Sequence, residues 1–387
     1  MNHSTKSVLA KASLGSAILF GLAASAIADD KTTAAPVAPP EHRAIDMAIC
    51  LDTSGSMEQL IDAARTKIWT IVSDLGTAKP LPKLRVALLT FGNQGNAEAD
   101  GWVKVELPFT EDLDAVSQRL FALSTNGGEE YVGRVVASAT RLGWNTDSES
   151  LKFIIVAGNE SADQDTQVSF RSAVKEAISA GILVNSVYCG SPTDELAPAW
   201  REVATLADGQ FAAIDMQNGT IHIATPFDDR LTELSTALNT TYLPFGADGT
   251  SAWANQRDQD LQASSVNSAV AAQRCVTKGG GLYSNSRWDL VDACEDATMK
   301  LEDIPDSELP EAMRGKTIEE KRAIIAASKA RRTELQKQVT ELGVQREKFV
   351  QEELAKQNVD ASKSFDLALR QAIRSQASAK GFSFATP

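Results

Sequence analysis

The sequence predicts a doubly wound α/β domain, a mostly parallel sheet flanked by helices, followed by a helical C-terminal region. Three observations predict it. Short, mostly apolar runs at 44–51, 84–91, 151–157 and 182–189 read as parallel strands covered on both faces. Segments of helical spacing fall between them, at 57–75, 111–123, 130–143, 166–180 and 196–207. The strongest polar constellation follows directly on the first run, and open α/β sheets bind ligands outside the carboxyl ends of their strands.

Before the first strand, residues 1–28 read as a secretory signal. Lys6 and Lys11 precede the apolar run 14–28, and Ala26-Ile27-Ala28 fits a small-x-small cleavage site. An uncleaved anchor is the rival reading of that run. Residues 29–42 form a tether, where Pro36, Pro39 and Pro40 prevent regular pairing. The folded domain is expected over 43–240. Within it Asp46 is a polar exception in the first strand, placed near the strand's entrance, 102–107 alternates like a short edge strand, and 210–214 reads as the last strand.

A mostly helical extension is expected over 241–313, with helical patterns at 251–277 and 284–301 around the Gly279-Gly280-Gly281 break. Residues 314–387 form a charged long-helix region. Thr317 and Glu320 match a capping box at its start. Leu335, Val339, Leu342 and Phe349 share one stripe, but Arg332 and Arg346 interrupt the corresponding heptad. A coiled coil, a helix packed on the domain and a hairpin with 362–379 all fit this pattern.

Charge and composition exclude several classes. The net charge is −13, and loss of Lys6 and Lys11 with a signal would make it more negative still. Such a surface repels phosphate backbones, so nucleic acid is not an expected partner. Beyond residue 28 no stretch approaches about 18 uninterrupted apolar residues, so no stable membrane insertion is expected after signal cleavage, and the location is periplasmic or secreted. Cys275 and Cys294 have either a disulfide or two free thiols open to them, and Cys50 and Cys189 read as buried core thiols. Beyond the signal the only histidines are His42 and His222, neither near the polar loops, so nucleophilic triads and multi-histidine zinc sites lack their parts.

The constellation itself is Asp52-Thr53-Ser54-Gly55-Ser56-Met57. Alternate oxygen side chains in a tight loop converge on one point, with Gly55 permitting the bend. One carboxylate and two hydroxyls suit a hard divalent cation such as Mg²⁺, with water completing its shell. A plain helix N-cap is the competing reading.

On these residues the chain resembles the von Willebrand factor A-type domain family, over about residues 43–240. The likeness rests on the Asp52–Met57 loop, the 84–91 strand, the Asn126-Gly127-Gly128 loop and the 153–157 strand. It implies a metal-ion-dependent adhesion site whose cation accepts a carboxylate from a protein partner. Asp52, Ser54 and Ser56 match the family's first loop. The other loops depart: the family's Thr falls at Glu129, Thr125 being a less natural match, and the third-loop Asp falls at Gly158 or Ala157 in Ala157-Gly158-Asn159-Glu160. Glu129, or Glu130 beside it, either supplies a relocated carboxylate or faces solvent in the first turn of a helix, stabilised by the helix dipole. The stretches 127–133 and 279–292 also resemble a bacterial secreted branch of the family with a helical C-terminal region.

The expected metal ligands are therefore Asp52, Ser54, Ser56 and Glu129, and the expected function is non-enzymatic binding of a protein through an acidic side chain. The alternative is a structural or assembly protein acting through its C-terminal helices, with the A-type domain as scaffold. Metal-assisted hydrolysis stands third, since only Glu129, Glu130 and Glu160 offer a general base.

Overall fold

A computed structural model describes residues 43–58, 61–214, 223–296, 299–356 and 365–384. The signal and tether segments, His42 and His222 lie outside the described residues. The six strands are β1 (Ala44–Asp52), β2 (Lys83–Phe91), β3 (Lys104–Thr110), β4 (Leu151–Gly158), β5 (Leu183–Tyr188) and β6 (Phe211–Ala213). Their order is β3-β2-β1-β4-β5-β6, parallel throughout except for the antiparallel edge strand β3. The chain thus winds outward from β1 in both directions. The crevice where the order reverses lies at the carboxyl end of β1, the place this topology reserves for ligands.

Alternation along β1 divides the core. Ile45, Met47, Ile49 and Leu51 point to one face, packed by Trp69, Val72 and Leu75 of α1 (Ile61–Leu75) and by Leu113, Val116 and Leu120 of α2 (Leu113–Ala122). Ala48 and Cys50 point to the other, under α3 (Val132–Thr140), α4 (Phe170–Ser179) and α5 (Ala197–Thr205). Every helix expected between the strands is present. Asp46 is fully buried at the amino end of β1, and the Arg85 guanidinium grips it with two hydrogen bonds of 2.8 and 2.6 Å. The backbone N–H of Asn145 adds a third at 2.6 Å, so the exception is a paired charge.

The helical region begins with α6 (Asp228–Asn239), α7 (Gly249–Val266), α8 (Ser268–Gly279) and α9 (Leu290–Glu295). Asn267 is extended between α7 and α8, and its side chain caps α8 by accepting from Val270 N–H at 3.0 Å. Residues 284–289, expected to be helical, instead form a turn, and Asp289 caps α9. All four cysteines are free, so there is no Cys275–Cys294 bridge: Cys275 is buried in α8 and Cys294 is exposed on α9.

α10 (Ile318–Lys356) starts at the expected capping box, Thr317 N–H bonding Glu320 at 2.8 Å and Glu320 N–H bonding Thr317 Oγ1 at 3.3 Å. Its Leu335 and Val339 pack against Leu231, Leu234 and Leu238 of α6 and Ala272 and Cys275 of α8. The two arginines that break the heptad continue the same buried stripe. Arg332 bonds Asp289 and Asp292 at 2.8 and 2.6 Å and stacks on Tyr242, and Arg346 bonds Asp228 at 2.8 Å. Of the three arrangements open to the sequence, the long helix is the one packed on its own chain. α11 (Phe365–Ala379) rests on α1 and β6, and Arg370 and Arg374 both bond the buried Asp74 of α1.

A candidate metal centre at the end of the first strand

β1 ends on Asp52, in register with Phe91 of β2, while its neighbour Leu51 pairs with Ala157 of β4. Three loops therefore leave the sheet side by side. Thr53 ties the first to the second, its N–H bonding Phe91 O at 2.9 Å. Met57 is wholly buried and anchors the far end of the first loop. Gly55 avoids left-handed backbone, and a Cβ there would meet Gly127 N at an ordinary 3.6 Å, so the bend does not depend on glycine.

Ser54 occupies the N-cap position of the short turn 55–57 without making a side-chain cap bond. Its hydroxyl lies 2.9 Å from that of Ser56, and Ser56 donates in turn to Asn159 Oδ1 at 3.0 Å. The capping alternative is therefore not what Ser54 does. Asp52 is fully buried; its Oδ1 accepts from Ser54 N–H at 2.8 Å. Its Oδ2 is buried with no hydrogen-bond partner.

The second loop brings Glu130 to this point. Its backbone N–H bonds Gln164 Oε1 at 3.0 Å, and its side chain is 7% exposed. Gly92, in left-handed backbone at φ 74°, makes room for the approach. A Cβ there would lie 2.8 Å from Asp52 Oδ1 and 3.0 Å from Glu130 Cγ. Gly128 passes closer still: a Cβ would stand 2.2 Å from Gly92 O.

Glu129 is not brought to the cluster. It is exposed and accepts from the Tyr131 hydroxyl at 2.5 Å, beside the Trp102 ring that packs 5.5 Å from Tyr131. The physical reason is the helix start. α3 begins only at Val132, so 129 and 130 precede the helix in irregular backbone, where Glu130 is buried and Glu129 is exposed. The sequence paired the two glutamates, and only the structure tells them apart.

The third loop explains the missing aspartate. A Cβ on Gly158 would already stand 3.1 Å from Asp52 Oδ2 and 3.1 Å from the ring of Trp200. Trp200 is buried and bonds Glu160 O at 2.8 Å, filling the space a carboxylate at 158 would take. Asn159, Gln164 and Trp200 carried no recognisable sequence signal, because their roles depend on packing between loops.

Electrostatically the site is under-compensated. Burial pushes the Asp52 carboxyl up to about 7, against hydrogen bonds from Ser54, and the Glu130 carboxylate adds to the rise. Burial likewise raises Glu130, with the Gln164 and Ser54 hydrogen bonds opposing it and the Glu160 charge reinforcing it. Two neighbouring buried carboxyls, one of them carrying the orphaned oxygen, and two hydroxyls form a donor set that a hard divalent cation would relieve. The residues present fit such an ion. Among the described residues no group of three or more His, Cys, Asp or Glu side chains could hold one.

Residues 46–208 match the model of the von Willebrand factor type A domain. The chain carries an A-type domain. The six-stranded, mostly parallel sheet flanked by helices agrees with it. Such domains commonly mediate protein–protein interaction, are generally interaction modules rather than enzymes, and often hold a divalent metal. No curated protein sequence matches. Among solved structures, the chain is similar to BatB from Bacteroides thetaiotaomicron, at 20% identity and TM-score 0.35, over 44% of this chain and 90% of that one. It is also similar to an aerotolerance-related membrane protein from Bacteroides fragilis NCTC 9343, at 20% identity and TM-score 0.33, over 45% and 93%. A third is proximal thread matrix protein 1 from the mussel byssus with a zinc-occupied MIDAS motif, at 12% identity and TM-score 0.35, over 46% and 43%. Among the described residues no helix is long and apolar enough to cross a membrane.

Proposed function

We propose that this chain is an exported binding module whose A-type domain takes a carboxylate of a partner protein at a divalent cation, Mg²⁺ by preference. Asp52, Ser54, Ser56 and Glu130 would hold the ion, with Glu130 in the role the sequence offered to Glu129. The observation that carries the reading is Asp52 Oδ2, a buried carboxylate oxygen without a partner beside a second buried carboxyl. A bound cation would supply Lewis acidity toward an incoming carboxylate oxygen. The chain's own residues do the rest. Ser54 and Ser56 present neutral oxygens, Asn159 orients Ser56, and Trp200 packs beneath Gly158 and holds the third loop through Glu160. Two carboxylates match the charge of the family's pair of aspartates, with one of them moved from the third loop to the second.

Export is supported by the Lys6–Lys11 start and the 14–28 apolar run. An assembly role for the C-terminal helices would need faces other than the expected stripe, because Leu335 and Val339 are buried against α6 and α8. The test is a pull-down from envelope extract with and without EDTA, together with calorimetric Mg²⁺ titration of the wild type and Asp52→Ala. Metal binding lost in the variant, with EDTA-sensitive partner recovery, is expected. Equal recovery in both conditions removes the metal from the mechanism.

A further inference from the structure

Beside the candidate metal centre, the loop after β2 and the loop before α3 raise an aromatic pair. The Trp102 and Tyr131 rings lie 5.5 Å apart, tilted by 55°. Tyr131 follows Glu130 directly in the chain, and neighbouring Cα atoms are about 3.8 Å apart, so the pair flanks the carboxyl cluster.

Trp102 is held there against its backbone preference. Its φ is 56°, a left-handed conformation that bulky residues rarely adopt. Gly101 before it is left-handed too, at φ 66°, where a Cβ would collide with Arg134 Cδ. Trp102 N–H bonds Ala97 O at 3.0 Å, and Asn96 Nδ2 bonds Trp102 O at 3.1 Å. This forced geometry does not bury the ring. Trp102 and Tyr131 are half-exposed, and neither belongs to the two cores of the sheet. Among the described residues only Tyr131 stacks on the Trp102 ring, and the indole N–H has no hydrogen-bond partner.

The surroundings are acidic. Glu129 is exposed, accepts from the Tyr131 hydroxyl at 2.5 Å and forms no ion pair among the described residues. Glu98 and Asp100, on the turn that leads into Trp102, are exposed and equally unpaired among them. Arg134 lies over the Tyr131 ring at 4.9 Å but is already bonded to Asp165 and Gln167, at 2.6 and 2.9 Å. An open indole face beside uncompensated carboxylates attracts a cation. An apolar side chain would cover the ring and leave those charges unanswered. The same field acts on any acidic ligand of the metal centre. Asp52 and Glu130 would cancel the charge of a divalent ion, so a lone carboxylate would arrive against Glu129 and Glu160.

We propose that this rim selects the partner: a protein segment with an Arg or Lys within about four residues, or about 13 Å of extended chain, of its Asp or Glu. The cation rests on the Trp102 ring beside Glu129. The proposal rests on the reading of Asp52, Ser54, Ser56 and Glu130 as a metal centre.

The experiment is fluorescence anisotropy on the full chain in excess MgCl₂. The probes are labelled Gly/Ser nonapeptides with a central Asp and one Arg placed one to four residues to either side. Controls carry Ser or Glu in place of the Arg, or Asn in place of the Asp. At least one Arg peptide is expected to bind at least about tenfold tighter than its Ser, Glu and Asn controls. Trp102→Ala and Glu129→Gln are expected to cut the advantage over Ser to about threefold or less, with calorimetric Mg²⁺ affinity within about twofold of wild type. Glu129 is exposed, so Glu129→Gln decides alone if circular dichroism shows that Trp102→Ala disturbs the fold. Absence of peptide binding, equal binding of the Arg, Ser and Glu peptides, or an Arg advantage unchanged in Glu129→Gln overturns the proposal. The two readings fail separately. An Arg advantage that survives EDTA refutes the metal centre and not the rim, whereas EDTA-sensitive binding without an Arg advantage refutes the rim and not the metal centre.

Discussion

Replacing Glu130 by Gln, with Glu129→Gln alongside, separates the two glutamates that stand together in the sequence. Glu130 is 7% exposed, and both its Cγ and Asp52 Oδ1 lie within about 3 Å of one point above Gly92. Gln keeps the volume and one carbonyl oxygen but removes one of the two formal charges available to a cation. A charge-assisted contact is worth about 1.5–3 kcal/mol, so the loss corresponds to roughly 10- to 150-fold in Mg²⁺ affinity. Glu129 is exposed and already bonded to Tyr131, and an exposed charge off the site changes affinity by about twofold or less at physiological salt. Isothermal titration of both variants, each checked by circular dichroism, measures this. Affinity within twofold of wild type for Glu130→Gln, or an equal loss for Glu129→Gln, would refute the assignment.

Restoring the family's third-loop carboxylate by Gly158→Asp is expected to lower stability by about 1–3 kcal/mol without tightening Mg²⁺ binding, since its Cβ meets the Trp200 ring at 3.1 Å; urea unfolding and calorimetry read both quantities. Leu335→Ala is expected to cost about 2–5 kcal/mol in urea unfolding of the monomer, whereas a solvent-facing coiled-coil position would change self-association and leave monomer stability alone. Thiol titration of native protein is expected to find one readily reactive cysteine, Cys294, and of denatured protein all four; two in the denatured chain would mean a bridge. Burial alone would raise Asp260, but Lys278 and Arg274 outweigh it and hold the carboxyl below its usual range. Its contribution to stability is therefore present above the unfolded value near 3.9 and lost as pH falls through the lower folded value. Asp260→Asn should flatten the decline of the urea midpoint below about pH 4, and an unchanged slope would count against the pair.

Strand and helix positions were legible because burial writes a simple pattern. The 44–51 and 151–157 runs are apolar on both faces, and central parallel strands are covered on both. The first loop of the candidate site was legible because its three oxygen residues, Asp52, Ser54 and Ser56, fall within five consecutive positions. What was not legible depends on partners distant in sequence. Whether 129 or 130 turns inward follows from where α3 begins, a boundary that hydrophobic spacing fixes only loosely. The glycine at position 158, the end of β4, follows from Trp200, which sits on α5. Arg332 and Arg346 looked like interruptions because an arginine scores as polar, yet their carboxylate partners on α9 and α6 make them core residues.

The carboxylate of Asp74 receives its counter-charges from Arg370 and Arg374 on the last helix. The contact with Arg374 spans 300 residues. At about 5–20 residues per second of synthesis, Asp74 leaves the ribosome roughly 15–60 s before the side chain that neutralises it. A nascent chain that has completed every strand of the sheet therefore still carries an uncompensated charge on α1. Final closure of that face waits for the synthesis of α11, so a chain stopped short of it would be left with a defect inside the domain rather than a missing appendage.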